Sequence, residues 1–229
     1  MANEIISYME MCQREGVSLQ RGMNFAVRRD HSVILMSLRP NAPYEDEIQD
    51  GGTVLVYEGH DEPKSASVPD PKRMDQPENN SAGKLTQNGL FYQAALQAKA
   101  GLRSPERVRV YEKLRQGIWS YNGVFHLVDA WKQISKGRKV FKFKLLAVEG
   151  EEESDGSAAK SVQSRRVIPT HVKLAVWKRD GGRCVICGSS DELHFDHIVP
   201  YSKGGTSLLP KNIQLLCARH NIQKRDRIE

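Results

Sequence analysis

Cysteine is scarce in this 229-residue chain, long apolar runs are missing, and most of its length carries no surplus of charge of either sign. Each shortage excludes something. Four cysteines are too few for the disulfide framework that staples small secreted domains. No apolar run approaches the roughly 20 residues that a membrane-spanning helix needs, and Glu4 and Glu10 stand where a signal peptide would be basic and then apolar. The sequence therefore predicts a cytoplasmic protein with no membrane attachment. Lys and Arg total 34 and Asp and Glu 28, a net charge of +6. From Arg165 onward 12 basic residues face 6 acidic ones, so the part before it, with 22 of each, is neutral. A basic module on a neutral body suits phosphate neutralisation by the C-terminal end; a solubilising tail is the plainer alternative.

At this length two domains are expected. Ile5, Met9 and Cys12 fall at helical spacing before Gly16. Strand patterns follow at 32–38 (SVILMSL) and 53–58 (TVLVYE), separated by a turn-rich acidic segment. The polar, proline-containing stretch 60–83 reads as a long loop of the kind that is usually functional or disordered. Helical composition returns at 88–100. From 107 to 148 valines alternate with arginines (RVRV) and aromatics with lysines (KVFKFKLL), which predicts half-buried strands with a basic face. The segment 149–166 has charge blocks, Gly and Ser but no periodic apolar residues, and reads as a linker. The expected organisation is α+β: residues 1–148, a linker over 149–166, and a small C-terminal domain over 167–229.

The most specific pattern is Cys184-Val-Ile-Cys187 followed some thirty residues later by Cys217-Ala-Arg-His220. Two such knuckles supply four soft ligands with tetrahedral reach and no open position, which predicts a structural Zn²⁺ site. Between and after them lie His194-Phe-Asp196-His197-Ile-Val-Pro, a Lys203-Gly-Gly-Thr loop, Asn212-Ile-Gln-Leu-Leu and Asn221. Phosphodiester hydrolysis needs a base for water and a hard cation on phosphate oxygens. His197 titrates in the right range to be the base, and Asp196 and Asn221 offer the oxygen ligands that Mg²⁺ or Mn²⁺ takes. Adjacent residues on a strand face opposite ways, so Asp196 and His197 share a site only if the strand ends there. His194 competes for a metal or base role. Lys173, Lys178, Arg179, Arg183, Lys203, Lys224 and Arg225 are candidate phosphate contacts.

Over 166–229 these residues resemble the HNH (ββα-metal) endonuclease family. The resemblance implies that Asn212 holds the loop and orients His197. Asn221 stands where many relatives have His, which bears on the choice of metal more than on the reaction.

The front part resembles the YDG/SRA family through Tyr44-Glu-Asp-Glu47, Val54-Leu-Val-Tyr57, Lys84-Leu-Thr-Gln-Asn, and Tyr121-Asn-Gly with Trp131. That family has a PUA-like β-barrel and flips 5-methylcytosine out of the duplex. A flipped base needs two π-faces and polar groups on its Watson-Crick edge. The resemblance offers Tyr44 and Tyr57 as the sandwich and Glu47 as the acid facing the cytosine amino group, with Asp46 its neighbour. Lys72 and Arg73 lie in a loop that could fill the gap a flipped base leaves. Asn122 replaces the family's usual aspartate. Together the two resemblances imply a modification-dependent endonuclease on double-stranded DNA carrying modified cytosine. One HNH site ordinarily cuts one strand, so double-strand cleavage needs two subunits or two sequential nicks, and a homodimer is expected. Two alternatives stay open: an HNH nuclease whose front domain reads no modified base, and a non-enzymatic reader with a zinc staple.

Overall fold

The structure is a computed structural model that describes residues 3–66, 68–148, 167–225 and 227–228; the segment read as a linker, 149–166, lies outside the described residues. In chain order the elements are β1 (Glu4–Ser7), α1 (Tyr8–Glu15), β2 (Met23–Arg28), β3 (His31–Met36), β4 (Glu47–Gln49), β5 (Val54–Glu58), α2 (Gln87–Lys99), β6 (Glu106–Arg115), β7 (Ile118–Ser135), β8 (Arg138–Ala147), α3 (Thr170–Arg179), β9 (Leu193–His197), β10 (Ile213–Cys217) and α4 (Ala218–Lys224). The fold class is α+β. The N-terminal helix starts later than its apolar spacing suggested. Ser7 caps α1 in a reciprocal capping box with Glu10, which leaves Ile5 on a strand and Met9 exposed.

The strands form one sheet in the order β10-β9-β1-β7-β6-β3-β2, and a branch runs from β7 through β8 and β5 to β4. The spine is β7. Its first residues pair with β1 and β6 and its later ones with β8, so the sheet folds around a core of Met23, Ile34, Leu55, Phe91, Val108 and Phe143. Among the described residues no hydrogen-bonded ladder joins β2 to β4. On β6 the alternation reads as the sequence suggests, with Val108 and Val110 inward. On β8 the basic face is not uniformly solvated: Lys142 is buried, donating to Glu58 at 3.0 Å and to the Glu45 carbonyl at 2.7 Å.

The two halves are joined more closely than a linker alone would join them. In β1, Glu4 pairs with Tyr121 on β7 and with His194 on β9, so one sheet runs through both. The second core, built on Ile168, Val172, Phe195, Ile213 and Leu215, also takes Leu114 from β6. Neighbouring residues Val167 and Ile168 belong to different cores. Val167 N–H donates to the Gly52 carbonyl at 2.9 Å. Gly52, at φ 100°, has to be glycine because a Cβ there would lie 2.3 Å from the Val167 oxygen.

A buried polar cluster completes this joint. Lys173 of α3 donates to Glu112 of β6 and to Asn122 of β7, both at 2.6 Å, and Thr170 donates to the other Glu112 oxygen. Lys173 and Glu112 are both fully buried. Lys173 is therefore no phosphate contact: water and DNA cannot reach it. Taking two charges out of water costs about as much as their attraction returns, so the pair fixes how α3 docks more than it adds net stability.

Candidate nuclease and base-binding sites

In the C-terminal unit, β9 ends at His197, and Asp196 precedes it on the same strand. His197 Nε2 lies 2.9 Å from Ser207 Oγ. Lys224 Nζ donates to the His197 carbonyl at 2.6 Å and lies 2.9 Å from Asp196 Oδ2, which Gln214 also approaches at 3.3 Å. Burial, and then the charge of Lys224, pushes the His197 imidazole down to about 4, so the ring is neutral near pH 7. Asn221 precedes Lys224 by three residues on α4, on the face that Lys224 turns toward Asp196.

Asn212 spans the loop between β9 and β10. Its amide nitrogen donates to the Val199 and Thr206 carbonyls, each at 3.0 Å, and its oxygen accepts from Val199 N–H at 2.9 Å. Gly205 permits this closure, because a Cβ there would lie 1.8 Å from the Val199 oxygen.

Behind this loop Cys184, Cys187, Cys217 and His220 place their ligand atoms within 4.8 Å of one another. The separations are 3.4 Å from Cys184 Sγ to His220 Nδ1, 3.3 Å from Cys217 Sγ to the same nitrogen, and 3.9 Å between Cys187 and Cys217. A tetrahedral Zn²⁺ with ordinary bond lengths sets its ligands about 3.5 to 3.8 Å apart, so the cluster fits that ion. Burial pushes the Cys184 thiol up, but N–H groups of Cys217, Cys187 and Ile186 outweigh it and bring the thiol to about 6, toward the thiolate a metal needs.

Two of the expected phosphate contacts are engaged elsewhere. Lys224 is 1% exposed and sits on Asp196. Arg179 grips Asp180 and the carbonyls of Pro210 and Ile213. Arg183 and Lys203 remain on the surface. His194 is walled in between β1 and β10, with its Nδ1 buried and without a hydrogen-bond partner. Burial lowers its pKa to about 4.

In the front unit a cavity of about 580 Å³ is lined by Tyr44, Asp46, Ser37, Arg39, His60 and Trp119, among others. Tyr44 lines it; Tyr57 does not. Tyr57 is 1% exposed, with its hydroxyl 2.7 Å from His60 Nε2 and also near the Gly22 and Leu35 carbonyls. The acid in the cavity is Asp46, and Glu47 faces solvent, bonded to Gln49. The reason is strand alternation: Ile48 is the inward residue of β4, so 46 points inward and 47 outward. Asp46 accepts from the Ser37 and Glu58 N–H groups, and burial raises it to about 7. Lys72 lies over the Tyr44 ring at 4.0 Å and pairs with Asp61 at 2.8 Å. Sequence reasoning missed His60 and Ser207. Neither sits in a motif with a chemical reason for its spacing.

Residues 184–227, the segment that holds the knuckles, Asp196 and His197, match the family model for the HNH endonuclease. About two thirds of the chain is similar to curated relatives described as histone-lysine N-methyltransferase family members of Arabidopsis thaliana. SUVH2 is 26% identical over 141 residues, covering 61% of this chain and 20% of the relative; SUVH9 is 24% identical over 159 residues, covering 67% and 23%. The chain thus spans about a fifth of the length of these relatives. Among solved structures, a SUVH5 SRA complex with hemimethylated CG DNA is similar at 24% identity and a TM-score of 0.43, covering 65% of this chain and 88% of that one. A SUVH5 SRA bound to fully hydroxymethylated CG DNA is similar at 22% identity and a TM-score of 0.42, covering 65% and 89%.

Proposed function

We propose that this protein is a modification-dependent DNA endonuclease: its front unit takes a modified cytosine out of the duplex, and its HNH unit hydrolyses a phosphodiester bond. The observation that carries the reading is the placement of Asp196 and His197 at the end of β9, inside the segment that matches the HNH endonuclease family and in the same sheet as the strands beside the Tyr44–Asp46 cavity.

In this reading His197 takes the proton from the attacking water. If Nε2–H donates to Ser207, Nδ1 is the unprotonated nitrogen. Asn212 keeps the 198–206 loop closed and thereby holds His197 in place. Asp196 and Asn221 are the residues that would hold a divalent cation such as Mg²⁺ or Mn²⁺, which when bound supplies positive charge to the scissile phosphate and leaving oxygen. One Asp196 oxygen is already engaged by Lys224. The set therefore suits a cation that keeps much of its water, as Mg²⁺ does. Lys224 anchors the end of β9 through the Asp196 carboxylate and the His197 carbonyl. Asp46 faces the cytosine amino group, with 5-methylcytosine and 5-hydroxymethylcytosine as the candidate marks, and Tyr44 gives one stacking face. A single HNH site cuts one strand, so a homodimer would cut both.

One observation favours the rival reading of a nuclease that reads no modified base: both faces of Tyr44 are covered, by Lys72 and His60. Replacing His197 with Ala tests the nuclease assignment. Cutting should fall by about 10²–10⁴-fold, the usual contribution of a general base, with DNA binding unchanged. Full retained cutting would remove His197 from the reaction.

A further inference from the structure

The second cover on Tyr44 has an unusual construction. His60 stacks on the Tyr44 ring at 4.5 Å and 8° between planes, and its centroid lies 5.9 Å from that of Tyr57. A flat, neutral, nitrogen-bearing ring therefore lies between the two tyrosines that the base-pocket reading pairs. Its backbone is pinned on both sides by Asn88, whose oxygen accepts from His60 N–H and whose nitrogen donates to the His60 carbonyl, each at 2.8 Å. Only the side chain is left to move.

There is room for it to go. A second cavity of about 530 Å³ shares Gln20, Arg21, Gly22 and His60 with the first, so the imidazole stands in the partition between them. Gly22 makes its present position possible, because a Cβ there would lie 2.2 Å from His60 Cε1 and 2.9 Å from the Tyr57 hydroxyl. Burial lowers the imidazole to about 4, so it rests there uncharged.

We propose that His60 is a resident plug of the base pocket, held against Tyr44 and Tyr57 in the unliganded chain, which a flipped base must displace into the neighbouring cavity. This rests on the modified-base reading of the pocket. The plug supplies the stacking and the hydrogen bond to Tyr57 that would otherwise be missing in the empty pocket. It also sets a threshold: a base gains a place on Tyr44 only when its contacts exceed those of the imidazole.

The test is binding of the full chain, without added divalent cation, to duplexes that differ only in carrying cytosine, 5-methylcytosine or 5-hydroxymethylcytosine. A 2-aminopurine beside that position reports flipping. His60→Ala removes the plug, and Gly22→Ala drives it out without removing it. Both should tighten binding to the modified duplexes by about tenfold, the worth of one stacking contact and one hydrogen bond, and both should raise the aminopurine signal. Weaker binding by His60→Ala would make the ring a wall of the pocket, and unchanged binding would make it a bystander; either result overturns the plug. If the wild-type chain already binds all three duplexes alike, the modified-base reading itself falls, and the plug falls with it.

Discussion

The candidate nuclease site and the candidate base pocket are built in opposite ways. The first is assembled from 44 consecutive residues, 184–227, around the end of β9. The second draws on residues from Tyr8 to Trp119, with one of its own lining side chains, His60, stacked on Tyr44. A compact site held by a Cys/His cluster and a loop clamp survives as a motif, because its geometry depends on local spacing. A distributed pocket depends on how distant strands alternate and curl, and that lies outside any one motif. The two are nonetheless not independent bodies, since β1 lies between β7 and β9.

That joint can be broken at several strengths. The largest effect is expected from Cys217→Ser, which removes a ligand from the Cys184, Cys187, Cys217 and His220 cluster. Binding of a structural zinc ion contributes about 10 kcal/mol or more to the folding of small domains, and losing one of four ligands removes part of it. The HNH unit should unfold, and a zinc-release assay and circular dichroism would show it; native melting with bound zinc retained would contradict the assignment. Next comes Lys173→Met, which strands the Glu112 carboxylate in the joint. Removing one partner of a buried pair costs about 3–5 kcal/mol, and both units should melt together at lower temperature. Two separate transitions, only one of them shifted, would show that the units fold apart.

The base pocket separates two neighbouring acids. Asp46→Asn should weaken selectivity for modified DNA by about tenfold, the worth of one hydrogen bond to a charged group, and Glu47→Gln should leave it unchanged. The reverse result would return the role to Glu47. The pH dependence has a definite sign. Burial raises Asp46 from 3.8 to about 7, so its stabilising contribution is full below about pH 4 and is lost as pH rises through about 7. Asp46→Asn should flatten that slope in the melting temperature, and an unaltered slope would place Asp46 in water. The smallest effect is expected for Arg183→Ala, which removes one exposed phosphate-contact candidate. The salt slope of DNA binding should fall by about one; an unchanged slope would leave Arg183 as ordinary surface.

Most of the strand plan was legible in the sequence, from SVILMSL at β3 to KVFKFKLL at β8, because period-2 patterns report burial directly. The Cys/His knuckles were legible because ligand geometry fixes their spacing. The rest was hidden for physical reasons. Lys173 and Lys224 read as surface cations because nothing local reveals that Glu112 and Asp196 will meet them across the fold. Glu47 was favoured over Asp46 by alignment to a pattern, although alternation from Ile48 already pointed the other way. His60 gave no sign of itself, since its position depends on Gly22, 38 residues earlier.

The most direct test of the whole account is digestion of one plasmid in three forms, carrying cytosine, 5-methylcytosine or 5-hydroxymethylcytosine, with Mg²⁺ or Mn²⁺ and with each withheld. The account predicts metal-dependent cutting confined to the modified forms. Equal cutting of all three would contradict it, leaving an HNH nuclease whose front unit reads something other than a modified base.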